Sequence, residues 1–109
     1  MRIEIFVVLS AKPNKPELEI AKRALIRLFG GLTIIPNCKG FWLNKNGKIE
    51  KDLVEIWLVY ADFPQIKEEA DRIHVESKMQ ALTKVLSLIK QATHQKSQAY
   101  ALNNKIYFI

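Results

Sequence analysis

The sequence predicts an α+β fold: a ferredoxin-like βαββαβ sandwich with both helices on one face of an antiparallel sheet, and a C-terminal strand able to form a hairpin. Two observations lead to this prediction. Strand-like and helix-like segments follow one another in the order β-α-β-β-α-β, which is the split βαβ arrangement. A central stretch, Phe29–Asp62, reads as a long hairpin on which the other elements can pack.

Length and composition predict one globular domain spanning residues 1–109. Apolar residues make up 49% of the chain and charged residues 26%, a balance typical of globular proteins. The longest apolar run, Ile56–Ala61, has the length of a strand, so we expect no transmembrane segment. The single cysteine, Cys38, excludes an internal disulfide framework and indicates a cytoplasmic protein. The net charge of +6 is scattered along the chain, which favours a role in solubility over nucleic-acid binding.

The first strand and the first helix follow from hydrophobic periodicity. Arg2–Ser10 alternates, and its aliphatic face is predicted to meet the helices. Pro16 suits the first turn of a helix, and Gly30 suits its left-handed end. Between them, every third or fourth residue is apolar, which predicts one buried stripe formed by Leu18, Ala21, Leu25 and Leu28.

The central hairpin has an irregular first arm and a regular second arm. Pro36 cannot donate a ladder hydrogen bond, so Leu32–Leu43 is predicted to lie at a sheet edge or to bulge near Pro36–Gly40. The pair Asn46-Gly47 predicts the turn. The return arm Ile49–Ala61 alternates between one face with Val54, Ile56, Leu58 and Tyr60, and another with Leu53, Glu55, Trp57 and Val59.

The segment after Asp62 carries two opposed apolar faces. One straight helix would bury both, so the pattern favours a short helix over Pro64–Arg72, a break near His74–Glu76 and a main helix over Ser77–Ala92. Whether residues 64–92 form one helix or two is left open by the pattern. Finally, Asn103-Asn104 predicts a two-residue turn between two short terminal strands, Ser97–Leu102 and Lys105–Ile109.

The chain contains two short motifs, FGG(A/L)T at Phe29–Thr33 and Gly-x-Trp at Gly40-Phe41-Trp42. An acidic residue before a hydrophobic run (Glu55) and Gln-x-Ser (Gln95, Ser97) accompany them. With these motifs the chain resembles a family of small uncharacterised microbial α+β proteins, a domain of unknown function. The resemblance implies structural roles for a motif loop comprising Gly30, Gly31, Thr33 and Gly40, and it implies no activity.

The main functional hypothesis concerns the sheet face that the helices leave open. If the aliphatic face of the first strand meets the helices, the open face is predicted to contain Phe6, Val8, Trp57, Val59, and Trp42 or Phe41 across the hairpin. An uncovered apolar face indicates a partner site. The favoured interpretation is a homodimer formed by a non-enzymatic binding or accessory module. The alternatives are single-stranded nucleic acid stacked on the aromatic residues, and a small apolar ligand.

The candidates for catalysis and metal binding are weaker. Cys38, His74 and His94 lack metal-site spacing, so we expect neither metal nor cofactor. Gly30-Gly31 follows a helix instead of preceding one, which predicts a cap and not a phosphate loop. A second alternative function remains, a small metal-dependent nuclease or other hydrolase. It would use Glu50 or Asp52 of the return arm, or Asp62 just after it.

Overall fold

The computed structural model describes residues 1–109 and contains five strands and two helices. In chain order these are β1 (Arg2–Val8), α1 (Lys15–Phe29), β2 (Thr33–Leu43), β3 (Ile49–Tyr60), α2 (Glu69–Ala92), β4 (Ala99–Leu102) and β5 (Lys105–Phe108). They form one sheet in the order β2-β3-β1-β4-β5, and each neighbouring pair is antiparallel. The predicted ferredoxin-like α+β fold is confirmed, with β5 added as a C-terminal hairpin.

The hydrophobic core lies between the helices and one face of the sheet. Ile3, Ile5 and Val7 of β1 are fully buried there, so the prediction for the aliphatic face of β1 is confirmed. In the antiparallel register, Ile5 lies opposite Trp57 and Ile3 opposite Val59. Residues that lie opposite each other across two strands share a face of the sheet.

The placement of Trp57 and Val59 on the open face is therefore wrong. Both side chains point toward the helices and are 0% and 1% exposed. The Trp57 indole N–H donates to Glu55 Oε1 at 3.0 Å, and Lys22 Nζ lies 5.6 Å from the centre of the ring. The physical reason is the register of β3 on β1, because a shift of one residue would exchange the two faces.

Helix α1 has the predicted ends. Asn14 caps its first turn, since Asn14 Oδ1 accepts the Glu17 N–H at 3.1 Å. Gly30 ends the helix with a φ of +85°, and its N–H donates to the Ile26 carbonyl at 2.7 Å. Helix α1 buries Leu18, Ala21 and Leu25 of the predicted stripe, whereas Leu28, its fourth member, is only partly buried.

Helix α2 is one continuous helix of 24 residues, so the predicted break near His74–Glu76 is wrong. Its two apolar faces do not need two helices, because only the second half is buried: Leu82, Val85, Leu86, Ile89 and Ala92. In the first half, Ile73 is 54% exposed, and Ile66 before the helix is 55% exposed. Neither helix combines the length and apolar character that a membrane-spanning helix needs.

Strand β2 forms one edge of the sheet and contains the predicted bulge. Ile35 lies opposite Ile56, whereas Cys38 lies opposite Val54, so β2 holds one extra residue between these pairs. Asn37 accommodates the bulge with a φ of +58°. After the bulge, the even-numbered residues of β2 point to the open face.

The β2–β3 hairpin is long and extends beyond the part of the sheet that the helices cover. Its turn is held by Asn44, whose Oδ1 accepts the N–H groups of Asn46 and Lys48 at 2.9 and 3.0 Å, and Gly47 takes a φ of +76°. The side of this tip that continues the helix-covered face exposes Phe41, Leu43 and Ile49, at 62%, 74% and 74%. The second hairpin, β4–β5, turns at Asn103 and Asn104 with φ of +48° and +70°, as predicted.

Candidate functional site

The sheet face opposite the helices, called the open face below, carries many large apolar side chains. No helix packs on this face, because the core cluster uses the other one. Tyr60, Ile106 and Phe108 are the most exposed of its members, at 62%, 59% and 66%. Strand register places the following apolar residues on the open face: Phe6, Val8, Ile35, Trp42, Val54, Ile56, Leu58, Tyr60, Ile106 and Phe108.

A cleft of about 530 Å³ lies at the hairpin end of the open face. Phe6 and Val8 of β1 contribute to it, with Trp42 on one side and Phe108 on the other. Three of the five predicted binding residues, Phe6, Val8 and Trp42, therefore line one cavity, while the other two lie in the core. Its polar lining residues are Glu50, Asp52, His94, Gln95, Lys96 and Ser97.

Trp42 is held in the cleft by its neighbours in the hairpin. Its indole N–H donates to Asp52 Oδ2 at 2.5 Å, and its ring lies over Gly40. A Cβ built on Gly40 would lie 2.8 Å from Trp42 Cζ2 and 3.0 Å from Val54 Cγ2. The Gly-x-Trp element thus has a physical basis: residue 40 has no side chain because the indole two residues later occupies that space.

Substituting Gly40→Ala is expected to displace the Trp42 indole and to break its hydrogen bond to Asp52. Since the indole is partly exposed and can move, we expect the free energy of unfolding to change by no more than about 1 kcal/mol. The readout is the indole N–H resonance of Trp42 in a ¹⁵N correlation spectrum. Gly31→Ala is the control, because a Cβ there meets nothing within 4 Å. An unchanged Trp42 resonance in Gly40→Ala would contradict this account of the element.

The two carboxylates of the cleft are oriented by hydrogen bonds from other side chains. Asn44 Nδ2 donates to Glu50 Oε1 at 3.2 Å, and Trp42 Nε1 donates to Asp52 Oδ2. The second oxygen of each carboxylate has no side-chain donor from the protein. Asp62, the third predicted carboxylate, follows the opposite end of β3, roughly 30 Å from Asp52 at ~3.3 Å per strand residue. The structure therefore brings together Glu50 and Asp52 but not Asp62.

The loop between α2 and β4 supplies the polar side of the cleft, which the sequence did not predict. His94 takes a φ of +57° just after the helix, and His94, Gln95, Lys96 and Ser97 all line the cavity. From the sequence, His94 could be placed only near the end of a helix. The topology places it in the cleft: β4 is antiparallel to β1, so the loop before β4 must lie near the C-terminal end of β1.

The other predicted candidates lie apart from one another. Cys38 follows the bulge, with its Sγ 3.7 Å from the carbonyl oxygens of Ile35 and Pro36. His74 lies in the exposed first half of α2. The structure contains no group of three or more His, Cys, Asp or Glu side chains placed to hold a metal ion. Of the motif-loop residues, Gly30 caps α1, Gly31 links it to β2, and Thr33 opens β2 opposite Leu58.

One ionisable group outside the cleft has a perturbed pKa. The Lys22 ammonium donates to Glu19 Oε1 at 2.9 Å, and this hydrogen bond and the charge of Lys22 lower the pKa of the Glu19 carboxyl. A depressed pKa stabilises the fold above the ordinary pKa of the group, and this contribution is lost as the pH falls through the lowered value. Because the pair is exposed and joins neighbouring turns of α1, its effect is local.

Comparisons with known proteins show the fold. No family model matches this chain, and no curated protein matches it. A solved phage SAM lyase in complex with S-methyl-5'-thioadenosine is similar, with a TM-score of 0.58 and 15% identity over 99% of this chain and 87% of that chain.

Two solved structures, of proteins named CutA and Cut A1, share the fold as well. CutA from Xylella fastidiosa has a TM-score of 0.54 and 19% identity, covering 99% of this chain and 79% of that chain. The divalent cation tolerance protein Cut A1 from Thermus thermophilus has a TM-score of 0.52 and 16% identity, covering 100% and 82%. At these identities the similarity shows the architecture alone. The resemblance to a family with the FGG(A/L)T and Gly-x-Trp elements remains a prediction.

Proposed function

We propose that the protein is a non-enzymatic binding module that associates with a second copy of itself through the open face. One observation carries this proposal: both helices cover the same side of the sheet, and the other side exposes large apolar residues on β2, β3 and β5. Ile35 of β2, Tyr60 of β3 and Phe108 of β5 are 42%, 62% and 66% exposed. Exposed apolar surface of this kind is typical of an interaction site.

The area of the open face matches a weak dimer. The five strands contain 38 residues, which at ~3.3 Å per residue and ~4.8 Å between strands give a face of roughly 600 Å². Two such faces would bury about 1,200 Å² in total, at the lower end of specific interfaces. We therefore expect a dimer that forms at micromolar concentrations and dissociates on dilution.

The charges of the central strand are compatible with packing on a second copy. Arg2 and Glu4 lie on the open face of β1, with Arg2 Nε 3.2 Å from Glu4 Oε1. In a two-fold arrangement each face packs on an identical face. Each copy then offers one cation and one anion, so that opposite charges can pair across the two-fold axis.

The same face is poorly suited to nucleic acid. Trp57, which the stacking interpretation requires, is buried beneath the helices. The acidic residues Glu4, Glu50 and Asp52 share the face with the basic residues Arg2 and Lys96. Carboxylates repel the phosphates that dominate nucleic-acid affinity. The hydrolase alternative loses one of its three carboxylates, since Asp62 lies at the far end of β3.

Sedimentation equilibrium over a range of protein concentrations tests the proposal with one variant and one matched control. Ile106→Glu places a charge on the open face, where we expect the dimer dissociation constant to rise at least about tenfold because an unpaired charge becomes buried. Ile49→Glu makes the same change at a residue that is 74% exposed on the opposite side of the hairpin tip. We expect Ile49→Glu to dimerise like the wild type.

Two outcomes would contradict self-association through the open face. A wild-type chain that remains monomeric at high micromolar concentration would exclude the dimer. Dissociation by Ile49→Glu, with no effect of Ile106→Glu, would place the interface on the exposed apolar side of the hairpin tip. Circular dichroism of both variants establishes that each one is folded.

A further inference from the structure

We infer that the cleft at the hairpin end of the open face binds a small zwitterion, a molecule with an amine and an acid group at opposite ends of a flat apolar body. The cleft lies on the open face, so a ligand bound there competes with a second copy of the chain, and the inference does not rest on self-association. The inference combines three features of the cleft: its size, its aromatic walls, and charges of both signs that form no ion pair in the protein.

The size and the walls fit a small organic molecule. The cleft measures about 530 Å³, and ligand sites of drug-sized molecules span roughly 300–1,000 Å³. Phe6, Trp42 and Phe108 give it three aromatic side chains. Aromatic rings offer flat apolar surfaces for stacking, and their faces also attract cations.

The charged groups lie on two sides of the cleft. Glu50 and Asp52 belong to β3, whereas Lys96 precedes β4. Strand β1 lies between β3 and β4, so the acidic and basic residues lie on different sides of the cleft. The ion pairs of the protein join other residues: Arg2 with Glu4, Lys22 with Glu19 and Arg72 with Glu69. None of these ion pairs involves Glu50, Asp52 or Lys96.

The acidic side is arranged to receive a cation. Trp42 and Asn44 each donate to one oxygen of a carboxylate, which fixes the orientation of Asp52 and Glu50. The other oxygen of each carboxylate remains available for an ammonium group. Two carboxylates against one lysine also make the cleft locally acidic within a chain of net charge +6. Electrostatic complementarity therefore places the amine of the ligand at β3 and its acid group at Lys96.

The probe that tests this site is 4-(2-aminoethyl)benzoate, whose ammonium and carboxylate lie at opposite ends of a benzene ring. Its matched controls are 2-phenylethylamine, which lacks the acid, and 4-ethylbenzoate, which lacks the amine. Binding is followed by the indole N–H resonances in ¹⁵N spectra. The resonance of Trp42 should move on titration, while that of Trp57, which is buried in the core, should not.

We expect the zwitterion to bind more tightly than either control, by about two- to fivefold for each charge, as for partly exposed ion pairs. Asp52→Asn should reduce the advantage over 4-ethylbenzoate, since Glu50 remains, and Lys96→Gln should remove the advantage over 2-phenylethylamine. Glu76→Gln and Lys84→Gln, which alter exposed charges of α2, should change neither.

Equal affinity for all three probes, or affinities that Asp52→Asn and Lys96→Gln leave unchanged, would overturn the inference. So would a response of Trp57 without one of Trp42. The titrations are repeated in Ile106→Glu, which is expected to stay monomeric at the concentrations that ¹⁵N spectra need and whose substitution lies outside the cleft lining. Failure of the ligand site is therefore distinguishable from failure of self-association, which sedimentation reports separately.

Discussion

Replacing Trp57 by alanine is expected to lower the free energy of unfolding by about 3–5 kcal/mol, the cost of truncating a large aromatic side chain in a core. Trp57 is fully buried between the sheet and the helices, and its removal also leaves the Glu55 carboxylate without the indole N–H donor. The measurement is urea denaturation followed by circular dichroism. A loss of this size is a large part of the stability of a domain of this length.

Trp42→Ala is the matched control for Trp57→Ala. The Trp42 side chain is 39% exposed in the cleft, so we expect its removal to cost no more than about 1 kcal/mol. If Trp57→Ala is too unstable to purify, Trp57→Phe provides the comparison, because phenylalanine refills part of the space but cannot donate to Glu55. Equal stabilities of Trp57→Ala and Trp42→Ala would contradict the register of β3 on β1.

A second large effect is expected in helix α2, where Leu86→Ala should destabilise the protein by about 2–5 kcal/mol. Leu86 is 1% exposed and belongs to the half of the helix that packs on the core. Ile73→Ala, in the other half of the same helix, should change stability by less than about 0.5 kcal/mol, because Ile73 is 54% exposed. Denaturation curves of the two variants, fitted with a common slope, give the comparison.

Similar losses for Leu86→Ala and Ile73→Ala would show that both halves of α2 are buried. That result would restore the arrangement with a break near His74–Glu76, in which a separate short helix buries its own apolar face. The helical content of wild type and variants, measured by circular dichroism, shows whether either substitution unwinds the first half of α2.

Most of the fold could be predicted from the sequence because its local signals agree with one another. Pro16 and Gly30 limit α1, Pro36 indicates an edge strand with a bulge, and Asn103-Asn104 forms the predicted turn. Each of these signals depends on backbone preferences of a single residue or pair, which tertiary packing rarely overrides. The order of such elements then allows few topologies.

The choice of sheet face could not be predicted for β3. Alternation assigns Trp57 and Val59 to one face and Ile56 and Leu58 to the other, but both faces are apolar. Only the register relative to β1 decides which face meets the helices, and register is a long-range property that no local pattern encodes. An apolar face on both sides of a central strand is therefore ambiguous from sequence alone.

The sequence patterns did not predict the length of α2 or the side of the cleft that the loop before β4 forms, for a related reason. The exposure of Ile73 depends on where the sheet and α1 end, which is set by packing and not by the period of the helix. Likewise, Lys96 and His94 carry no recognisable spacing with Glu50 and Asp52. The sheet order brings them together, since β4 and β3 lie on either side of β1.

With or without the bulge in β2, the hairpin strands can pair in two different registers, and the protein adopts the one with the bulge. If the bulge closed at constant chain length, the tip of β2 would slide by one residue along β3, and Phe41 would replace Trp42 opposite Glu50. Trp42 and Gly40 would then turn together to the helix-covered side of the hairpin, and the hydrogen bond between Trp42 and Asp52 would be lost. A deletion at position 37, by contrast, would straighten the strand and keep every pair on both sides of it. Loss of the residue at position 37 would therefore leave the pairing around the cleft intact, whereas a slip of the strand would destroy it.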